Sequence, residues 1–359
     1  MPSHHQSAFF EAVSKSGLDL KVCYYSEINE YRKSMGWKER ELQTYEINLN
    51  DTKKLDNLLP DWADRIHILP GIGDKLSRTL MWLFYQKKVD WVHWSEGFDS
   101  RPRSILSVPV KFLYTRFIIN KLALGLLANG SLAYNQFLTW GVKRHKLAKL
   151  PYSISPLQKT CSAEKTFTFL FLGSIEKGKA VDILIRAFAL LPRNNLFHLK
   201  IVGRAPDIKG AYPLSFYEDL INELGLSKFV SIHPPVPYNQ VQDVISSSHV
   251  LVLPSKYDGW GVVLNEAVSL DKFVIASDNV GSAETLIDNG VNGFIFDVDD
   301  IEGLSQCMYA AWDVVENKKR GIYSSFQNVC PTKNATRLKL ILESFITFKK
   351  FKIQKLSND

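Results

Sequence analysis

The chain has 359 residues, 45% of them hydrophobic and 23% charged, with 44 Lys and Arg against 37 Asp and Glu for a formal net charge of +7. That length favours two domains over one core, and the composition is that of an ordinary globular protein, which excludes disordered and fibrous classes. Four cysteines, Cys23, Cys161, Cys307 and Cys330, stand far apart with no CxxC pair, which argues against a zinc site or disulfide framework and fits a reducing compartment.

The first half reads as mixed α/β. Phe9–Ser16 has helical spacing, and Leu18–Tyr25 alternates as a strand through Leu20, Val22 and Tyr24. Arg65–Ile68 and Trp91–Trp94 are short strand candidates around an amphipathic helix over Asp74–Gln86. Ile118–Ala128 is a strongly apolar helix or a strand–helix pair, followed by a helix over Leu132–Trp140. The patternless, Pro- and Ser-containing stretch Pro151–Lys165 is the best linker. Beyond it, strands at Phe167–Leu172, Phe197–Val202, Phe229–His233 and Val250–Leu253 alternate with helices at Val181–Leu191, Ser215–Leu224 and Asn239–Ser247. Such alternation predicts parallel βαβ units in a doubly wound sheet, with ligands beyond the carboxyl ends of the strands. The loops Ser174–Ala180, Gly203–Lys209, Pro234–Tyr238 and Ser255–Gly261 all fall on that edge.

Chemistry concentrates between Leu251 and Asp297. An apolar strand runs into a small-residue loop carrying Asp258, Gly259 and Gly261, a helix begins near Val262, and Glu266 lies within it. A helix start offers backbone N–H groups without intrahelical partners and a positive dipole, which suit a diphosphate. Taken alone, Asp258 also reads as a capping acid for that helix. The positive charge admits nucleic acid, an anionic membrane or a phosphorylated substrate as partner, and no nucleic-acid-binding motif accompanies it. In Val110–Lys121, Lys111, Arg116 and Lys121 interrupt an apolar and aromatic segment, which fits either a membrane surface or a helix packed in the first domain. No run of apolar residues is long enough to span a bilayer, and the opening MPSHHQSAFFEAV lacks the order of a signal peptide.

PSKYDGWGVVLNEAV resembles the signature of retaining glycosyltransferases of family 4, whose architecture is GT-B, two facing Rossmann-like domains. FLGSIEKGKAVDILIRAFALL (Phe171–Leu191), VIASDNVGSAETLIDNGVNGFIF (Val274–Phe296) and ANGSLAYNQFLTWGV (Ala128–Val142) fit the same family in order. The resemblance implies an α/β GT-B fold with an acceptor-side Rossmann-like domain over 1–155, a nucleotide-sugar-binding one over 156–330, and a helical basic tail over 331–359 that packs back on the first. It implies Glu266 as the ribose ligand, the backbone of Gly259, Gly261, Val262 and Val263 around the distal phosphate, and Pro234–Val236 as the base pocket. Lys179 would neutralise phosphate charge, and Asp258 would stand near the donor sugar.

The chain departs from the family pattern in four ways. Asp258 stands where Glu is usual, and Ser174 where an Arg usually follows the first loop glycine, so that Lys177 or Arg204 would have to supply the second cation. Arg204 itself occupies a place where a second glycine is common. The first strand of the opening domain is missing, since the chain starts in what would be the following loop. On that loop His5 is an acceptor-side candidate, and Glu96, after a strand, is another; His233, His249, Trp91 and Trp94 read as structural. The resemblance thus implies a retaining glycosyltransferase without cofactor or obligatory metal. Its expected partners are a nucleotide sugar, a saccharide or lipid-linked acceptor and an inner-membrane surface, in surface polysaccharide assembly in the cytoplasm. A GT-B nucleotide-sugar isomerase and an inactive donor-binding scaffold remain as alternatives.

Overall fold

A computed structural model of the chain describes residues 4–25, 41–49, 55–71, 75–98, 108–193, 196–205, 211–317 and 325–358. Its described residues divide into two compact units, the first made of those within 4–155 and 329–358 and the second of those within 156–328.

In the first unit, α1 (His4–Lys15) leads to a parallel pair, β1 (Val22–Tyr24) and β2 (Glu46–Asn48). A parallel four-stranded sheet follows, with β3 (His67–Pro70), β4 (Trp91–Ser95), β5 (Gly125–Ala128) and β6 (Leu147–Lys149) in that order. Between them lie α2 (Lys75–Lys87), α3 and α4 (Gly130–Thr139). Helix α3 is composite: Val108–Leu113, a π turn over Tyr114–Ile119, then Asn120–Leu122.

Alternation along the strands feeds two cores. Trp91 and Leu126 join Phe84, Ile119 and Phe137 on one face, while Val92 and Leu127 join Phe9, Val13, Leu338 and Phe345 on the other. The latter residues come from α1 and from the last helix, Pro331–Asn358, whose Asn334 donates to the Pro151 carbonyl and Ser153 Oγ at 2.7 Å each.

Four local readings shift. The strand expected over Leu18–Tyr25 covers only Val22–Tyr24. The apolar run Ile118–Ala128 is the end of a helix followed by a strand, not a strand followed by a helix. Strand β3 starts two residues later than the pattern suggests, because Arg65 closes the turn before it by binding Asp19 and Asp61. His5 lies inside α1, not on a loop, since nothing between His4 and Ser16 breaks a helix.

The second unit holds one six-stranded, wholly parallel sheet, ordered β12-β11-β10-β7-β8-β9. Its strands are β7 (Phe167–Leu172), β8 (Phe197–Val202), β9 (Val230–His233), β10 (Val250–Leu253), β11 (Phe273–Ser277) and β12 (Gly293–Phe296). The connecting helices are α5 (Val181–Ala189), α6 (Leu214–Glu223), α7 (Tyr238–Ser247), α8 (Val262–Ser269), α9 (Ala283–Leu286) and α10 (Ile301–Asn317). Strands buried on both faces need continuous apolar runs, and VLVL of β10 and FTFLFL of β7 supply them. The one polar intruder, Thr168, donates its N–H to His249 Nδ1 at 3.0 Å and its hydroxyl to the Thr166 carbonyl, so His249 serves the fold.

The chain enters this sheet at its centre, winds outward through β8 and β9, then returns to β10 and winds the other way. The reversal lies between β7 and β10. Loops leaving two such strands part in opposite directions and open a crevice at their carboxyl ends.

Candidate active site

Two loops border that crevice. The first runs from Gly173 to Ala180 after β7, and the second from Pro254 to Gly261 after β10. The Lys256 N–H donates to the Gly178 carbonyl at 2.9 Å and ties them together. Across them, Lys179 Nζ donates to Asp258 Oδ2 at 2.5 Å, an ion pair with side chains 23% and 17% exposed. Lys179 closes a 3-10 turn, and Ala180 behind it takes the left-handed conformation that turns the chain into α5. Asp258 is held through its backbone, its N–H on the Asn279 carbonyl and its carbonyl accepting from the Gly281 N–H.

Asp258 is therefore no helix cap. The N-cap of α8 is Gly261, with φ 81° and no side-chain cap. That positive φ favours glycine, and a Cβ there would come 2.8 Å from both Leu253 and Val280. The first N–H groups of α8, from Val262 and Val263, have no carbonyl within the helix to serve, and the dipole adds positive potential. Gly259 and Gly261 flank Trp260, whose indole N–H donates to Asn265 Oδ1 at 2.7 Å. That buried bond fixes the loop against the helix it opens.

Glu266, one turn into α8, is 4% exposed, and burial pushes its carboxyl up to about 8. Tyr238, first residue of α7, feels its charge, and burial chiefly raises the phenol to about 12. The short segment Pro234–Pro237, with half-buried Val236, precedes Tyr238, so the expected base pocket and Glu266 belong to one neighbourhood.

Ser174 sits where the loops after β7 and β8 meet. A Cβ on Gly203 would come 1.8 Å from the Gly173 carbonyl oxygen, and the Ile175 N–H donates to the Arg204 carbonyl at 2.9 Å. Arg204 is exposed beside Ser174, and residues 206–210 lie outside the described ones. Lys177 lies with Nζ 4.8 Å from the centre of the Tyr212 ring, which stacks on Phe216 at 4.1 Å. Tyr212, Tyr238 and Asn265 escaped the sequence reading. Only the third left a trace, as a polar residue beside Glu266 in a largely apolar helix. His5 and Glu96 belong to the first unit, His5 in α1 and Glu96 exposed just after β4. A cavity of about 670 Å³ there, lined by Arg144, Leu147, Arg337, Leu340 and Phe345 among others, contains none of the predicted site residues.

Residues 157–311 match the family model described as Glycosyl transferases group 1. Over those residues the second unit is similar to group 1 glycosyltransferases. Curated relatives are similar to part of the chain. D-inositol 3-phosphate glycosyltransferase of Streptomyces griseus subsp. griseus is 31% identical over 155 residues, covering 42% of this chain and 33% of the relative. The Mycolicibacterium smegmatis enzyme of that name is 31% identical over 131 residues, 36% of this chain and 29% of its own. The chain thus spans about a third of the length of the curated relatives it matches.

Solved structures extend the likeness beyond residues 157–311. Anabaena Alr3699/HepE in complex with UDP superposes with a TM-score of 0.65 at 14% identity, covering 99% of this chain and 98% of that one. WaaG, a glycosyltransferase involved in lipopolysaccharide biosynthesis, gives 0.60 at 16% identity over 91% and 93%. The lipopolysaccharide outer core galactosyltransferase WaaB gives 0.60 at 18% over 77% and 75%. The fold is GT-B.

Proposed function

We propose that this chain is a retaining glycosyltransferase of family 4, moving a sugar from a nucleotide-sugar donor to a saccharide or lipid-linked saccharide in surface polysaccharide assembly. The observation that carries the reading is the convergence of Lys179, Asp258 and the α8 N-terminus, with Glu266 behind it, at the switch point of the second sheet. The UDP-bound HepE structures and the lipopolysaccharide roles of WaaB and WaaG support the donor class and the pathway.

In this reading the donor diphosphate lies on the N–H groups of Gly261, Val262 and Val263. Glu266 accepts the ribose hydroxyls, and Pro234–Val236 lines the base. The bond from the anomeric carbon to the phosphate oxygen breaks while an acceptor hydroxyl oxygen bonds the same face. The acceptor proton passes to the departing phosphate oxygen. Lys179 and the helix N-terminus hold the negative charge that develops there, so no metal ion is required in the scheme. Asp258 keeps Lys179 aimed into the crevice before the donor arrives.

Thermal-shift screening of nucleoside diphosphates would identify the base, and labelled transfer with wild type, Glu266→Ala and Lys179→Ala would test the roles. A stabilising diphosphate and near-complete loss of transfer in both variants are expected. Full activity in either variant would sink the assignment. Donor binding without any transfer by the wild type would favour the scaffold alternative, for which Ser174 in place of arginine is the motivating feature. Conversion of the donor without an acceptor would favour an isomerase.

A further inference from the structure

The cavity of about 670 Å³ in the first unit takes no part in the proposed transfer. One wall is the turn Arg144–Lys146 with the start of β6, and the other is the last helix from Thr332 to Phe345. Its size is that of a site for a small organic molecule. Two kinds of group line it. Leu147 and Phe345, buried at 5% and 4% exposed, give it an apolar wall with Ala148 and Ile341. Arg144, Lys333 and Arg337 give it three cations, and His145 adds a fourth basic group. No carboxylate stands among the described residues that line it.

Two of the basic groups are held in place. The Arg337 guanidinium donates to Asn334 Oδ1, and the buried Asn334 donates in turn to the Pro151 carbonyl and Ser153 Oγ. The His145 ring stacks on Phe348 with ring centres 3.9 Å apart. Groups fixed before a ligand arrives lose less freedom in binding it.

We propose that this cavity binds a soluble organic phosphate, an ester with a compact apolar body. Charge selects the anion. Cations gathered around one space with no carboxylate lining it repel one another, and an anion between them relieves that repulsion. The fork of a guanidinium matches two phosphate oxygens, and a phosphate dianion answers more than one cation where a carboxylate carries a single charge. The buried Leu147 and Phe345 select the body, which an inorganic ion lacks. Arg144 and Arg337 stand on opposite walls, so the bound ester bridges the turn before β6 and the last helix.

Calorimetric titration of the full chain with phenyl phosphate tests the proposal, beside inorganic phosphate and phenol as the two halves of that probe. Phenyl phosphate is expected to bind about tenfold more tightly than either half, or better. The pair Arg144→Gln with Lys333→Gln, both on exposed side chains, should weaken it roughly tenfold or more. Arg337→Lys keeps the charge and loses the fork, and should weaken it roughly fivefold. Lys179→Ala, in the donor crevice, should leave this affinity unchanged. Circular dichroism melts identify variants that fold as the parent does, and Arg144→Gln and Lys333→Gln are also measured singly. No binding by the parent, equal affinity for phenyl phosphate and phosphate, or indifference to the exposed pair would overturn the proposal. Loss on Lys179→Ala in place of the pair would put the probe in the donor crevice and overturn it too. So would binding of phosphatidylglycerol vesicles through these residues in place of phenyl phosphate. No nucleotide sugar or acceptor enters the titration, so its outcome is separate from that of the donor-site assignment.

Discussion

Lys179 Nζ donates to Asp258 Oδ2 at 2.5 Å, a contact between loops 79 residues apart. The pair is partly solvated, so its worth to the fold is about 1 kcal/mol or less. Its value lies in keeping a cation aimed at the crevice. Lys179→Ala should therefore fold normally yet lower turnover about 100-fold, the scale of removing one oxyanion stabiliser. Asp258→Asn should lower kcat with little change in donor affinity. Asp258→Glu, the residue usual in the family resembled, should retain most activity. Steady-state kinetics on the three variants decides, and an inactive Asp258→Glu beside an active Asp258→Asn would contradict the assigned role.

The missing arginine at Ser174 leaves two candidate replacements, and the structure separates them. Lys177 is drawn over the Tyr212 ring, a cation–π contact worth about 0.5–1 kcal/mol at an exposed site. Arg204 stands exposed beside Ser174, at the junction of the two loops. Arg204→Ala should weaken nucleoside diphosphate binding by about 1 kcal/mol or more, roughly a fivefold loss. Lys177→Ala should change it little. Calorimetric titration measures both, and the reverse order would return the role to Lys177.

Gly261 has a further measurable consequence. An alanine there would take a left-handed backbone and press against Leu253 and Val280 at the foot of the crevice. The strain is about 1–3 kcal/mol, and relief would move the first turn of α8. Gly261→Ala should lower the melting temperature and lose diphosphate affinity together, in a thermal melt with and without ligand. Loss of stability with full ligand-induced stabilisation would mean that the first turn does not hold phosphate.

Much of the second unit is legible because its strands are buried on both faces and must be apolar throughout, as in Phe167–Leu172 and Val250–Leu253. Their alternation with helices fixes which loops share an edge. The first unit is harder. From Ile118 to Ala128 a helix passes into a strand without a change in hydrophobicity, so periodicity cannot find the boundary near Gly125. What no local pattern contains is partnership across the fold. The Lys179–Asp258 pair and the Lys177–Tyr212 contact depend on two loops and a later segment being brought together by sheet order. The burial of Glu266 is of the same kind: α8 is enclosed on nearly all sides, and its Glu and Asn sit inside only because the crevice and Trp260 receive them.

That burial gives Glu266 a signature in pH. Its carboxyl is raised from 4.5 to about 8 in the fold by desolvation. The folded state therefore holds a proton that the unfolded state has released across this window. Stability is greatest below about pH 4.5 as far as this group is concerned, declines as pH rises, and levels off above about 8, with a slope near 1.4 kcal/mol per pH unit at most. Glu266→Gln keeps the shape and removes the titration. Its denaturant-unfolding free energy should fall less between pH 5 and 8 than that of the parent, and the variant should be the more stable of the two at pH 8. Above about pH 8, where Glu266 is ionised, the variant should also bind donor more weakly, since an amide offers one acceptor oxygen where a carboxylate offers two. Parallel pH dependence in parent and variant would show that Glu266 is ionised in the folded protein and already paired. Its place behind the α8 N-terminus would then serve the fold in the absence of donor.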